Sequence, residues 1–332
     1  MFFKKLLKKF LRIFLPLGLG IILLWYLYRN QDIGSMMEVV RRGVDYRLIL
    51  FSLGFGLFGN VMRAFRWSLL IDSLGKRVGR TNAVNAVLGN YAINMALPRV
   101  GEIWRCGVIA KQEKIPFTKL LGTLFVDRLL DWVVVSTLTL CLCVFNIGFF
   151  RKFFSENPPL LIEKAYQTAT SVWTYIILAL LVVAVWYVFV KLKHFSFVQK
   201  IKGIMRNIWE GFKSLWVIRN KALFTAETLL IWLGYFFYFY VTFFAFDFTR
   251  DLGLRIGLIT FAMSSISVAV PVQGGIGVWH FMIITTLTAF GVSKTDAGAF
   301  ALVVFTVQTV WLVLTGLYGI IALASTKNKN YG

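Results

Sequence analysis

Runs of apolar residues set the strongest limit on the fold of this chain. Those long enough to cross a bilayer lie near residues 12–29, 47–72, 117–147, 171–190, 223–246 and 295–324. Two further runs, 82–111 and 254–290, are interrupted by Pro and Gly. Of the 332 residues, 58% are hydrophobic, which is typical of a membrane protein. The sequence therefore predicts a single all-α polytopic membrane domain over residues 1–332, with about six full transmembrane helices and two broken hairpins.

The positions of Lys and Arg predict the orientation of the chain. The formal net charge is +21, and most basic residues lie in short segments between apolar runs, which favours a membrane surface over nucleic acid. If each interrupted run leaves the membrane on the side from which it entered, 21 Lys/Arg fall inside and 10 outside. If 82–111 crosses fully, the numbers become 14 and 17. We therefore expect cytoplasmic termini, with 82–111 re-entrant from the cytoplasm and 254–290 re-entrant from the outside.

Two basic amphipathic segments are expected on the cytoplasmic surface. Residues 1–12 lead into an apolar run that is long enough to remain as a transmembrane helix. In the segment 191–222, apolar residues at helical spacing alternate with lysines and arginines. This pattern predicts a helix that lies on an anionic leaflet.

The two interrupted runs suggest a binding site within the membrane. Hairpins that dip from opposite faces, each broken by Pro and Gly, are typical of inverted repeats, which meet at a midplane site in transporters. Irregular backbone at that depth needs protein or a wet cavity to satisfy its polar groups.

The first interruption, "LPRVGEIWR" at 97–105, contains Arg99, Glu102 and Arg105. A new helix is expected to begin near Val100, which puts Glu102 in its first turn, where a carboxylate is favoured. These charges form either an internal ion pair that holds the hairpin or a basic lip for an anionic headgroup. Ionisable residues within a membrane favour the functional interpretation.

A second set of charges lies in the neighbouring apolar runs. "LFVDRLLDWVV" places Asp127 and Asp131 one turn apart on a helix, with Arg128 between them. We expect the aspartates to pair with arginines of the first hairpin or with Arg63 and Arg66, whose alternative is to extend toward the headgroups. Together with Arg99, Arg105 and Glu102 the set contains five positive and three negative groups, a surplus that suits phosphate.

The second interruption, "PVQGGIGVWH" at 271–280, lacks acidic residues. Gly274, Gly275 and Gly277 permit unusual φ values and close backbone approach. A helix that resumes near Gly277 would direct its amide groups toward an anion. His280 follows in its first turn, either as a packing residue or as a proton carrier.

Several other chemistries lack a supporting pattern. The glycines do not have dinucleotide-binding spacing, and no phosphate-binding loop of an ATPase is present. The three cysteines and two histidines do not have the spacing of a zinc site. We therefore predict no metal, no cofactor and no catalytic residues.

Taken together, these stretches resemble the transmembrane region of lysylphosphatidylglycerol synthases and related stand-alone, flippase-like bacterial membrane proteins. That family carries an Asn, an LPxRxGE stretch followed by Arg, an ERxxD stretch on the next helix and a later PxPGGxGxxE stretch. The matching residues are Asn94, Leu97, Pro98, Arg99, Gly101, Glu102, Arg105, Asp127, Arg128, Asp131, Pro271, Gly274, Gly275 and Gly277. The resemblance extends over nearly the whole chain.

The sequence departs from the family pattern at four points. His280 stands where the family has glutamate, Gln273 where proline is common, and Asp127 where glutamate is usual. The stretch from Leu97 to Glu102 is also one residue shorter than the LPxRxGE stretch of the family. The role of the family glutamate is therefore not carried over to His280.

The resemblance implies a lipid flippase-like protein of the bacterial cytoplasmic membrane, and not an enzyme, since the chain ends directly after its last apolar run. Its expected substrate is an anionic phospholipid or a lipid-linked headgroup, moved downhill or with an ion gradient. Two alternatives stay open: an accessory subunit of an envelope lipid or glycan assembly complex, with an envelope-biosynthesis protein as partner, and a lipid-modifying transferase. Oligomerisation is also left open. The expected headgroup site contains Arg63, Arg66, Arg99, Glu102, Arg105, Asp127, Arg128, Asp131, Gly274, Gly275, Gly277 and His280.

Overall fold

The computed structural model describes residues 18, 21–29, 33–156, 213, 217–267 and 272–329. Within these ranges the chain is almost entirely helical, apart from an isolated bridge between Val44 and Phe246. The predicted all-α fold is therefore confirmed. Its helices are α1 (Ile33–Arg42), α2 (Tyr46–Asp72), α3 (Arg80–Ala96), α4 (Val100–Gln112), α5 (Phe117–Phe145), α6 (Ile147–Glu156), α7 (Lys221–Tyr240), α8 (Asp247–Arg250), α9 (Gly253–Ser267), α10 (Val278–Ala289) and α11 (Lys294–Lys329). Two 3-10 segments accompany them, Val241–Ala245 after α7 and Gln273–Gly275 before α10.

Within the described residues, four helical stretches are long and apolar enough to cross a membrane. They are Tyr46–Asp72, Phe117–Phe145, Lys221–Ala245 and Lys294–Ser325. They coincide with four of the six full spans that the sequence predicts, so the protein is a polytopic membrane protein. Of the run 12–29, residues 21–28 are helical. The run 171–190, the N-terminal segment 1–12 and most of the segment 191–222 lie outside the described residues.

The first interrupted run forms a helical hairpin, α3 and α4, with its break at Leu97–Arg99. Leu97 precedes Pro98 and is extended (φ −138°, ψ 107°), as expected because proline disfavours helical backbone in the residue before it. Arg99 has φ 61° and directly precedes α4. At the open end of the hairpin, the Gly79 amide and the Asn82 side chain both donate to Glu113 Oε1, at 3.2 and 3.0 Å. The hairpin therefore enters and leaves at the same end of the bundle.

The second interrupted run forms α9 and α10, and its break contains the glycines singled out above. Gly274, Gly275 and Gly277 have φ values of 57°, 78° and 83°, in the left-handed region that favours glycine. The tips of the two hairpins touch, because a Cβ atom added to Gly274 would lie 2.6 Å from Sδ and Cε of Met95 in α3. The two breaks are therefore adjacent in the structure.

The second hairpin opens toward the opposite end of the bundle from the first. Arg255, at the start of α9, donates from Nε to Oδ1 of Asn146, just after α5, at 2.5 Å. Phe290, just after α10, stacks on Phe149 of α6 with ring centroids 4.4 Å apart. Both ends of this hairpin thus lie near the final turn of α5, whereas α5 begins beside the open end of the first hairpin. This geometry has the inverted arrangement that the interruptions predict; the side of the membrane that each hairpin enters from stays a prediction.

Small residues let the helices cross at short distance. A Cβ atom on Gly234 of α7 would lie 3.1 Å from Cα of Gly59 in α2. One on Gly316 of α11 would clash with Ala92 Cβ in α3. Small residues at crossings of membrane helices allow close backbone contact, which supplies packing energy that apolar side chains in lipid do not provide.

The tightest of these contacts lies within the first hairpin. A Cβ atom on Gly101 would overlap the carbonyl oxygen of Asn90, so we expect Gly101→Ala to lower the free energy of unfolding by about 1–3 kcal/mol, the range for overpacking. The matched control is Gly107→Ala in the same helix, where an added Cβ meets no atom within 4 Å. Thermal unfolding of the purified protein in detergent measures both. A smaller loss for Gly101→Ala than for Gly107→Ala would contradict the close packing of the hairpin.

Candidate functional site

Two carboxylates of α5 form the centre of a buried charge cluster. Asp127 is fully buried and Asp131, one turn further, is 8% exposed. Both lie in a membrane-spanning helix that is otherwise largely apolar. Because an ionised carboxylate is costly in such surroundings unless it is paired, the positions of these residues require partners from other helices.

Arg63 and Arg66 of α2 supply the first partners. Arg66 donates from Nε and Nη2 to Asp127 Oδ1, at 3.1 and 2.6 Å, and from Nη2 to Asp131 Oδ1 at 2.8 Å. Arg63 donates from Nη1 to Asp131 Oδ2. Both arginines are buried. The pairing predicted for them is therefore confirmed, and neither extends to the surface.

Arg105 of α4 brings the first hairpin to the same centre. Its Nη2 lies 2.9 Å from Asp127 Oδ2, and its guanidinium group lies 4.6 Å from the ring centroid of Trp67. Trp67 is held in place by a hydrogen bond from Nε1 to Thr123 Oγ1, at 3.1 Å. Asp127 thus accepts hydrogen bonds from α2 and from α4, which joins three elements in one ion cluster.

Arg128 and Glu102 form the outer edge of the cluster. Arg128 Nη2 lies 3.0 Å from Glu102 Oε1 and Arg128 Nη1 lies 3.5 Å from Asp131 Oδ2. Their side chains are 30% and 22% exposed, so this edge is accessible while the centre is not. The side chain of Arg99 is exposed at the break of the hairpin, and its role in binding phosphate stays a prediction.

The contacts above join four arginines to three carboxylates, which leaves a positive surplus. The cluster also contains buried nitrogen atoms that have no hydrogen-bond acceptor within the described part of the chain. They are Nη1 of Arg66, Nε and Nη1 of Arg105, and Nε of Arg128. Buried donors of this kind are rare in folded proteins. Because every unsatisfied atom here is a donor, the arrangement suits a ligand with several acceptor oxygens.

His280 lies in aromatic surroundings. It is buried, and its ring centroid lies 4.6 Å from that of Phe305, 5.6 Å from Trp279 and 6.0 Å from Tyr28. Its Nδ1 atom has no hydrogen-bond partner among the described residues. The structure thus favours packing for His280 and does not pair it with the charge cluster. Its predicted place beside the headgroup, like that of the three glycines, stays untested.

Sequence reasoning missed a tyrosine that holds Arg63. The hydroxyl of Tyr235 in α7 accepts from Arg63 Nε at 3.0 Å, bonds to Asn60 Oδ1 at 2.8 Å and lies 3.1 Å from the hydroxyl of Tyr91. Tyr235 stands in the run "WLGYFFYFY", where its neighbours give no sign of its role. Asn60 could have been found, because it lies one turn before Arg63 in an apolar helix.

The fold and the buried ion cluster define a polytopic helical membrane protein with a charged interior site. Residues 13–316 match the family model described as the lysylphosphatidylglycerol synthase TM region, and the chain belongs to this family. The predicted family is thereby confirmed. No curated protein and no solved structure matches the chain.

The cluster should contribute to stability mainly through its centre. Asp127→Ala removes the carboxylate that Arg66 and Arg105 share and leaves buried positive charge, so we expect a loss of about 3–5 kcal/mol in the free energy of unfolding. Glu102→Gln changes the accessible edge and should cost about 1 kcal/mol or less. Thermal unfolding in detergent compares the two variants. Similar losses would contradict the distinction between a buried centre and an accessible edge.

Proposed function

We propose that this protein moves an anionic phospholipid or a lipid-linked headgroup across the bacterial inner membrane. The observation that carries this proposal is the ion cluster inside the membrane-spanning bundle, with its positive surplus and its donors that have no acceptor in the described part of the chain. Membership of the lysylphosphatidylglycerol synthase TM region family supports a role in lipid handling.

The donors of the cluster match the acceptors of a phosphate group. A phosphodiester offers anionic oxygens, and arginine binds such oxygens through pairs of N–H groups. Among the described residues, Arg66 and Arg105 have unsatisfied N–H groups near Asp127. Arg128 is partly exposed at the edge, and its own unsatisfied Nε is buried. A headgroup that reaches this edge would meet Arg128 first and the buried arginines afterwards.

The carboxylates allow release as well as binding. Each arginine of the cluster already donates to Asp127, Asp131 or Glu102. A phosphate therefore competes with these carboxylates for the same positive charge, and its net affinity is lower than that of a site with arginines alone. Transport requires binding that is weak enough for the ligand to leave.

The contact between the hairpin tips supports a route between the two faces. The breaks at Pro98 and at Gly274 bring two stretches of irregular backbone together, where Met95 packs against Gly274. In transporters with inverted repeats, discontinuous helices of this kind surround the substrate. We place the headgroup at this junction while its acyl chains remain in lipid.

The transferase alternative receives no support from the geometry of the aspartates. A metal held by Asp127 and Asp131 would have to displace Arg63, Arg66 and Arg105 from them. The described residues contain no group of three or more metal-binding side chains. We therefore continue to propose that the protein is a transporter.

The edge of the cluster offers a direct test. With fluorescent phosphatidylglycerol in proteoliposomes, Arg128→Gln should lower the rate of transfer between leaflets by about tenfold or more, because a charged hydrogen bond contributes about 1.5–3 kcal/mol. Arg99→Ala should also lower this rate. Quenching of the outer leaflet by dithionite measures transfer, and fluorescent phosphatidylcholine should move more slowly than the anionic lipid.

The matched control is Arg250→Gln. Arg250 lies just before α9, at the open end of the second hairpin. Its exposed side chain pairs with the exposed side chain of Asp247, with Nη2 and Oδ1 3.7 Å apart, so its loss should leave transfer unchanged. If Arg128→Gln transfers lipid as fast as Arg250→Gln, the headgroup does not use the cluster. If the wild-type protein moves no lipid, the accessory-subunit alternative replaces transport.

A further inference from the structure

Glu227 is a buried carboxylate that the ion cluster does not use. It lies in the second turn of α7, within a membrane span, and is 7% exposed. Its Oε2 atom has no hydrogen-bond donor among the described residues. An ionised carboxylate in this position is costly, and protonation removes the cost.

The register of α2 and α7 places Glu227 at the level of Arg66. The two helices run antiparallel and cross at Gly59 and Gly234. Arg66 lies seven residues after Gly59 (66 − 59), and Glu227 lies seven residues before Gly234 (234 − 227). At about 1.5 Å per residue both are displaced equally from the crossing and in the same direction.

The charged groups that face Glu227 come from two neighbouring helices. Arg80 acts on it from the exposed start of α3, and Arg66 acts on it from α2. Lys221 lies on its own helix, at the exposed first position. Arg66 directs Nε and Nη2 toward the aspartates, while its Nη1 has no acceptor in the described chain.

We propose that Glu227 binds a proton that crosses the membrane together with the anionic headgroup, and that Arg66 links the two binding sites. This inference rests on the proposed lipid transport. A phosphate bound to Arg66 neutralises part of the positive charge that favours ionised Glu227, so the carboxyl takes up a proton. When the phosphate leaves, the charge of Arg66 acts on Glu227 again and the proton is released. By linkage, proton binding to Glu227 strengthens binding of the anion to the same extent.

The test is whether a pH gradient redistributes lipid. Proteoliposomes with fluorescent phosphatidylglycerol receive a gradient of about one pH unit, with the membrane potential clamped by potassium and valinomycin. If one proton accompanies each headgroup, the wild-type protein should enrich the lipid in the leaflet at higher pH, by up to about tenfold. Protein-free vesicles under the same gradient give the baseline ratio.

The decisive variant is Glu227→Gln, which resembles the protonated carboxyl. This variant should still exchange lipid between leaflets, but the final ratio of fluorescent lipid in the two leaflets should equal that of protein-free vesicles. Glu227→Asp should retain part of the enrichment, and Asp251→Asn, in an exposed turn at the far end, should retain all of it. If Glu227 were only structural, its replacement could not abolish the enrichment of lipid in one leaflet while exchange between leaflets continued.

The outcomes separate the two proposals. Enrichment by Glu227→Gln equal to that of the wild type overturns the role of Glu227. Wild-type exchange without enrichment overturns proton coupling and leaves lipid transport standing. No wild-type exchange overturns lipid transport and this inference with it.

A second measurement needs no variant. Dicyclohexylcarbodiimide modifies protonated carboxyl groups in apolar surroundings, and mass spectrometry locates the product. Labelling of Glu227 in the wild-type protein should increase when phosphatidylglycerol replaces phosphatidylcholine in the vesicles. Labelling that does not respond to the anionic lipid would contradict the link through Arg66.

Discussion

The pairing of Asp127 is the interaction on which the rest of the structure depends. A fully buried carboxylate in a membrane-spanning helix requires positive partners, and they come from α2 (Arg66) and α4 (Arg105). These contacts hold a full span, a hairpin helix and α5 in a defined relation. Because both oxygen atoms of Asp127 are used, a rotation of any of the three helices would leave charge unpaired.

The first hairpin is stable in the interior because its backbone finds local partners. The Gly101 amide donates to Asn94 Oδ1 at 2.8 Å, and Gly101 packs directly against the Asn90 carbonyl group. The side chains of α3 thus satisfy the start of α4, which water would do in a soluble protein. This arrangement brings Arg105 to Asp127 and leaves Glu102 at the accessible edge.

In the proposed function, the groups that stabilise the bundle are also the groups that would bind the transported headgroup. The buried ion pairs hold the bundle, while the positive surplus and the unsatisfied donors suit a phosphate ligand. Such a ligand would not need to break the cluster, since Arg66, Arg105 and Arg128 each have an N–H group without an acceptor among the described residues. Glu227, at the level of Arg66, would then report occupancy of the site through its own protonation.

The sequence by itself determined the all-α membrane class, four observed spans and the positions of the two breaks. These features depend on local composition: the length of an apolar run, the restriction that Pro98 imposes on Leu97, and the left-handed backbone at Gly274. The spacing of Asp127 and Asp131 also predicted a common face and arginine partners for it.

Only the tertiary structure decided which groups meet. Tyr235 reaches Arg63 across 172 positions of the sequence, His280 packs among aromatic rings, and Glu227 lies level with Arg66 because of the crossing at Gly59 and Gly234. These relations depend on the register and rotation of packed helices. Close packing between distant segments determines both, and the composition of a single segment does not contain that information.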